Sequence, residues 1–153
     1  MTSAYDEIYN RFLGKIKDVE FANFSEADAR EQMREWLHSS LSKPNIRRLF
    51  GTLSLDDEIA IMTYTMKYTT DDLQDKDFVE ELLSYSMVSL WLEPQVNTTT
   101  LLHQMISNSK ESKYYSQASH MAEMQNYYEN AKNMIRSLIA DRGFINNSYK
   151  DKR

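Results

Sequence analysis

The sequence contains no cysteine and only three glycines, two prolines and three histidines among 153 residues. Without cysteine there is no disulfide, no thiolate nucleophile and no cysteine metal site, so a metal would need His, Asp and Glu alone. Three glycines supply no phosphate-cradling loop, and no Gly-x-Ser-x-Gly elbow occurs that would expose a nucleophilic serine. The longest apolar stretches are a few residues, too short for a helix that spans a bilayer. At the start, "MTSAYDEIYNRFL" places acids where a secretory signal carries basic residues, and it lacks an uninterrupted apolar region; an intracellular origin is expected. A formal net charge of −5 counts against general binding to a nucleic-acid backbone, which depends on clustered Lys and Arg.

What is present describes a folded domain: 41% apolar, 27% charged and 12% aromatic residues with no break in composition. A single domain over 1–143 with a tail over 144–153 is the simplest division. Charge is unevenly spread. Residues 1–93 hold 10 basic and 18 acidic side chains, and residues 94–153 hold 8 and 5. Such polarity suits self-complementary packing of subunits or an oriented partner surface, and it also arises by chance in a monomer.

Tyr5, Ile8, Tyr9, Phe12, Leu13, Ile16 and Val19 recur at three- and four-residue spacings, the pattern of an amphipathic helix. Ser25, with Asp28 three residues on, predicts the cap of a second helix lined by Ala29, Met33, Trp36, Leu37 and Leu41 and ended by Pro44. The stretch 46–70 reads two ways. Leu55, Ile59, Met62 and Met66 have helical spacing, whereas Ala60, Met62, Tyr64, Met66 and Tyr68 alternate among Ile, Thr and Tyr. The alternation favours a small antiparallel pair, about 47–54 and 60–68. "TTDDLQDKD" is then a polar loop supplying an acidic cap, Asp75, for a helix whose apolar end crowds Met87, Val88, Leu90, Trp91 and Leu92. Pro94 is expected to stop that helix near Glu93. A short helix or irregular segment holds Leu101, Leu102, Met105 and Ile106. A last helix of about 116–140 follows, with Ala118, Met121, Met124, Tyr128, Ala131, Ile135, Leu138 and Ile139 on one face and Gly143 as its stop. Phe144, Ile145 and Tyr149 stud a tail too short for a core of its own, either frayed or docked. The expected fold is mainly α: a bundle of about four helices with a small β-hairpin insertion and an extended C-terminal tail.

Groups with chemical potential are few. Glu35 and His38 form one Glu-x-x-His pair, and His120 with Glu123 the reverse, but a carboxylate-bridged metal pair needs two such matches and further glutamates. Solvated helix residues are the simpler reading. Asp71, Asp72, Asp75 and Asp77 lack the glycine and regular spacing of a calcium loop. Arg47 and Arg48 adjoin Asp56, Asp57 and Glu58 and are expected to pair with them rather than with phosphate. Met121, Met124 and Met134 read as core packing. Tyr114, Tyr115 and Ser116 stand where a loop turns into the longest helix: Ser116 can cap it, and the two rings can anchor it to the bundle or to an adjacent subunit. No feature demands an enzyme or a cofactor, and the expected functions are those of surfaces.

Five pieces in order, "YDEIYNRFLGKIKD", "LSLDDEI", "MVSLWLEPQVN", "KESKYYSQASHMAEM" and "LIADRGFINNSY", give the chain a sequence that resembles the head-to-tail connector (adaptor) proteins of tailed phages of Gram-positive hosts. The resemblance implies a non-enzymatic protein of the virion neck, made in the host cytoplasm. It implies a homo-oligomeric ring, commonly of twelve, beneath the portal protein and above a head-closure or tail protein. On that footing Phe144, Ile145, Asn147 and Tyr149 would dock on the portal, and Tyr114, Tyr115, Ser116 and Trp91 would pack at subunit or helix corners. Asp71, Asp72, Asp75 and Asp77 would face the channel, where negative charge keeps passing DNA from sticking without any sequence recognition. A neighbouring head-closure or tail-completion role uses the same physics. More distant alternatives are a DNA-packaging subunit, which would need a basic recognition helix, and a carboxylate-bridged metal protein.

Overall fold

The computed structural model describes the backbone of residues 1–16, 24–106 and 114–145, and the side chains of these apart from 99–106, 114–118 and 144–145. A short strand β1 (Thr2–Ala4) leads into α1 (Tyr5–Lys15), followed by α2 (Glu26–Ser42) and a single turn α3 (Pro44–Arg47). A hairpin of β2 (Phe50–Asp56) and β3 (Ile61–Met66) comes next, and then two long helices, α4 (Asp72–Ile106) and α5 (Tyr114–Ile145). The protein is mainly helical with a small antiparallel sheet, ordered β1-β3-β2.

Most of the apolar stripe of α1 is buried as its spacing requires, with Tyr5, Ile8, Tyr9 and Phe12 in the core, whereas Leu13 is exposed. Val19 lies outside the described residues. Ser25 caps α2, its Oγ accepting from the Asp28 N–H at 3.2 Å, and Met33, Leu37 and Leu41 face inward. Pro44 does not simply end that helix. Its fixed φ suits a first helical position, so it opens α3, and this turn pushes the start of β2 three residues beyond the expected 47. The hairpin forms as read in its middle, where Met62, Tyr64 and Met66 point into the core and Thr63 and Thr65 away, but β3 is shorter than 60–68: Ala60 belongs to the turn, and Tyr68, beyond the strand, is exposed. Its turn is held by Asp56 Oδ1, which accepts from the Glu58 and Ile59 N–H groups, and by Ala60, which adopts a left-handed φ of 53° while its carbonyl accepts from Tyr5 N. β1 has no counterpart in the periodicity, since three residues are too short to show one.

Both ends of α4 and both ends of α5 depart from expectation. Asp71, not Asp75, caps α4, accepting from Leu73 and Gln74 N–H at 3.0 and 3.1 Å. Helix α4 passes through Pro94 to Ile106, absorbing the segment of Leu101 to Ile106. The proline leaves the Leu90 carbonyl without its donor, and the Gln95 side chain donates to the neighbouring Trp91 carbonyl at 3.1 Å; packing of the α4 face, buried at Leu92 and Val96 on either side, outweighs the local loss. Helix α5 starts at Tyr114, so Ser116 sits in its first turn rather than at its cap, and it runs through Gly143 to Ile145. Phe144 and Ile145 therefore belong to the last helical turn and not to a tail.

Helix α4 is the axis of the body. Val79, Leu82, Leu83, Met87 and Val88 are fully buried against α1, α2 and α5, each such side chain contributing about 1.5–3 kcal/mol. Charges rim this core. Arg11 reaches Asp77, Glu80 and Glu81, Lys15 binds Glu81 at 2.9 Å, and Lys76 binds Glu7 at 2.9 Å, so that α1 is laced to α4 along its length. Buried Glu80 is satisfied further by Ser3 Oγ at 3.0 Å, which ties β1 to the same helix.

Candidate functional site

Helices of 35 and 32 residues are each about 50 Å long, roughly twice the length of α2. They form an antiparallel hairpin whose register two contacts define. Arg142 of α5 meets Asp75 near the start of α4, and Tyr127 stacks edge-on against Trp91 at 6.4 Å, so 16 residues along α4 match 15 back along α5. The inner stripe of α5 follows a three–four spacing: Met121, Met124, Tyr128, Ala131, Ile135, Leu138, Arg142. This is the apolar seam of a coiled coil except at its last position, where a charge stands in the core.

That charge is fully engaged. The Arg142 guanidinium donates to Asp75 and to the Tyr68 carbonyl and lies over the Phe78 ring, 5.0 Å from its centre. Asp75, with no exposed surface, also accepts from the Thr70 N–H at 3.1 Å. Of the four acids expected to face a channel, Asp75 is thus excluded: it is the buried counter-ion of Arg142. Asp71 and Asp72 are exposed beside it, and Asp77 is largely exposed but paired with Arg11. The hairpin so brings the acidic end of α4 together with the turn carrying Phe144 and Ile145. Asn147 and Tyr149 lie outside the described residues.

Trp91 of α4 packs within the chain, edge-on to Tyr127 of α5, whose hydroxyl donates to the Lys15 carbonyl. Tyr114, Tyr115 and Ser116 open α5 at the opposite end of the hairpin from Arg142. His120 and Glu123 are exposed on α5.

His38 does not work with Glu35. Its Nε2 is 3.0 Å from Asp57 Oδ1, which also accepts from the Tyr5 hydroxyl at 2.7 Å. The Tyr5 bond holds the Asp57 carboxyl below the usual range, against desolvation and with lesser help from His38, and burial followed by the hydrogen bond to Asp57 pushes the Tyr5 phenol well up. These groups edge an open polar cleft of about 500 Å³ lined by Glu31, Arg34, Glu35, His38, Ser39 and Asp57. Its charges are mostly paired along α2, as in Arg34 with Glu31, and the Tyr5–Asp57–His38 chain serves to fasten the β2–β3 turn to α1 and α2. Among the described residues no group of three or more acids and histidines is placed to hold a metal ion.

One cluster has no sequence signal at all. Lys43 donates to Ser86 and Ser89 at 3.2 and 3.3 Å, and burial lowers its pKa. An amine beside a hydroxyl is the raw material of a nucleophilic pair. Here Ser86 is fully buried and Ser89 5% exposed, out of reach of a substrate, so the contact anchors the end of α2 to α4. Arg47 and Arg48 also differ from expectation. Strand β2 carries the acids of the turn to its far end, about 20 Å away, and Arg47 donates instead to the Phe50 carbonyl at 3.3 Å. No family model, curated protein or solved structure matches the chain.

Proposed function

We propose that this chain is a non-enzymatic structural protein of a tailed-phage virion, a head-to-tail connector that forms a ring beneath the portal and continues the DNA channel toward the tail. The resemblance of its ordered sequence pieces supplies the reading, and the Arg142–Asp75 clamp is the observation that best supports it. A ring subunit that docks on a second ring needs a rigid body and a binding segment leaving it at a fixed point. The clamp fixes the end of α5, so that the turn carrying Phe144 and Ile145 has one defined place on the body, and Asn147 and Tyr149 follow it in the sequence. Exposed Asp71 and Asp72 lie at that same end and are the acids suited to face passing DNA; Asp77, paired with Arg11, contributes less.

Two observations test this. Portal and capsid genes beside the one encoding this chain are expected; a metabolic operon would overturn the reading. A chain ending at Ile145 should fold as the full chain does and lose capture by the portal protein of the same genome, whereas undiminished capture would remove the docking role of the last residues.

A further inference from the structure

The outer strand of the sheet has an open edge with a charge pattern that is complementary to itself. Tyr64 on β3 exchanges backbone hydrogen bonds with Met1, each at 2.9 Å, so its N–H and C=O face the β1 side. Its neighbours Thr63 and Thr65 therefore turn theirs to β2, where they oppose Ser54 and Thr52. The Thr52 N–H, bonded to Thr65 Oγ1 at 2.9 Å, has this orientation. By alternation the backbone groups of Leu53 and Leu55 point to the outside of the sheet, where no further strand pairs with β2 among the described residues. Their side chains are half-buried beneath the sheet, so the edge offers hydrogen bonds rather than an apolar surface.

Residues 47–58 read "RRLFGTLSLDDE", basic at the entrance of β2 and acidic at its exit. Lys67 joins the basic end, its N–H bonded to the Leu49 carbonyl at 2.9 Å. Arg48, Lys67 and Glu58 are all exposed, and none of the ion pairs among the described residues includes them. A copy of β2 laid antiparallel on this edge and centred on Leu53 brings the basic turn that precedes the strand, with Arg48, beside the acidic turn that follows it in the second copy, with Glu58 of the partner subunit, and the reverse. Centring on Ser54 instead keeps the same two turns beside each other. We propose that the edge of β2 is a self-association surface that pairs two copies of this chain through Leu53 and Leu55 into a continuous six-stranded sheet, locked at both ends by Arg48 with Glu58 of the partner subunit. The pair is two-fold and closed, unlike the head-to-tail contacts of a ring about one axis, so it is independent of the connector reading.

Analytical ultracentrifugation of the full chain over a range of concentration and salt is the test. A dimer that weakens as salt rises is expected, with Arg48→Glu and Glu58→Arg each weakening it about tenfold or more. Mixing the two variants should restore pairing, because each then meets its opposite charge twice. In the wild type, amide exchange at Leu53 and Leu55 should slow as concentration rises. A monomer at every concentration, an oligomer indifferent to both substitutions, or a mixture that fails to pair would each overturn the proposal.

Discussion

Arg142→Ala should be among the most damaging single substitutions in the protein, although it removes no apolar core residue. It strands Asp75, whose side chain is wholly buried, with the Thr70 N–H in place of a counter-ion, and it deletes the guanidinium over Phe78. Removing one partner of a buried pair costs about 3–5 kcal/mol. In a chain of this size each kcal/mol is worth roughly 2–4 °C of melting temperature, so a fall of about 6–20 °C is expected. Desolvation explains why the pair itself need not be strongly stabilising: Asp75→Asn combined with Arg142→Met keeps an acceptor for Thr70 and fills the seam with an apolar chain, and should cost less than either single change. Urea unfolding of the four proteins followed by circular dichroism gives the coupling directly, expected at about 2 kcal/mol or more. Additive effects, or a loss below about 1 kcal/mol for Arg142→Ala, would refute the clamp.

Pro94→Ala restores a donor for the Leu90 carbonyl in mid-helix at an exposed position, and should raise stability by about 1–3 kcal/mol in urea unfolding; a lower midpoint would mean that the proline is needed for packing of the hairpin. Ala60→Gly relieves the left-handed φ at the hairpin turn and should stabilise by roughly 1 kcal/mol, a thermal shift of a few degrees upward. Burial raises the phenols of Tyr5, Tyr9, Tyr64 and Tyr127, with Asp57 adding to the effect at Tyr5. Folded values above the unfolded value of about 10 give stability that is complete below that pH and lost as pH rises through the folded values. Phenolate absorbance should accordingly lag in the native protein above pH 10 and then rise together with loss of helical signal; smooth titration of all ten tyrosines without unfolding would contradict this.

The elements with long periodicity were legible in the sequence. The α1 and α2 stripes, the Ser25 cap and the inward face of β3 lie where spacing and capping chemistry put them, because each is decided within a few residues. What was not legible depends on partners distant in the chain. Asp75 reads as a loop acid until α5 returns, 67 residues later, to bury it against Arg142. Pro94 and Gly143 read as helix stops, and each is overridden by the α4–α5 hairpin, which secures one at mid-helix and the other just past the clamp. Lys43 meets Ser86 and Ser89 across more than 40 residues, with no motif to announce it. Arg47 and Arg48 stand close to Asp56 and Asp57 in the sequence, but the strand β2 holds the two charges at its opposite ends, and that separation creates its edge pattern.

The most direct test of a connector role is electron microscopy of the purified chain mixed with the portal oligomer encoded by the same genome. A connector adds a ring of density with the portal's rotational symmetry to one face of the portal, and that layer vanishes when residues 146–153 are removed. Portal rings that stay bare at saturating concentrations of the folded chain would contradict the role.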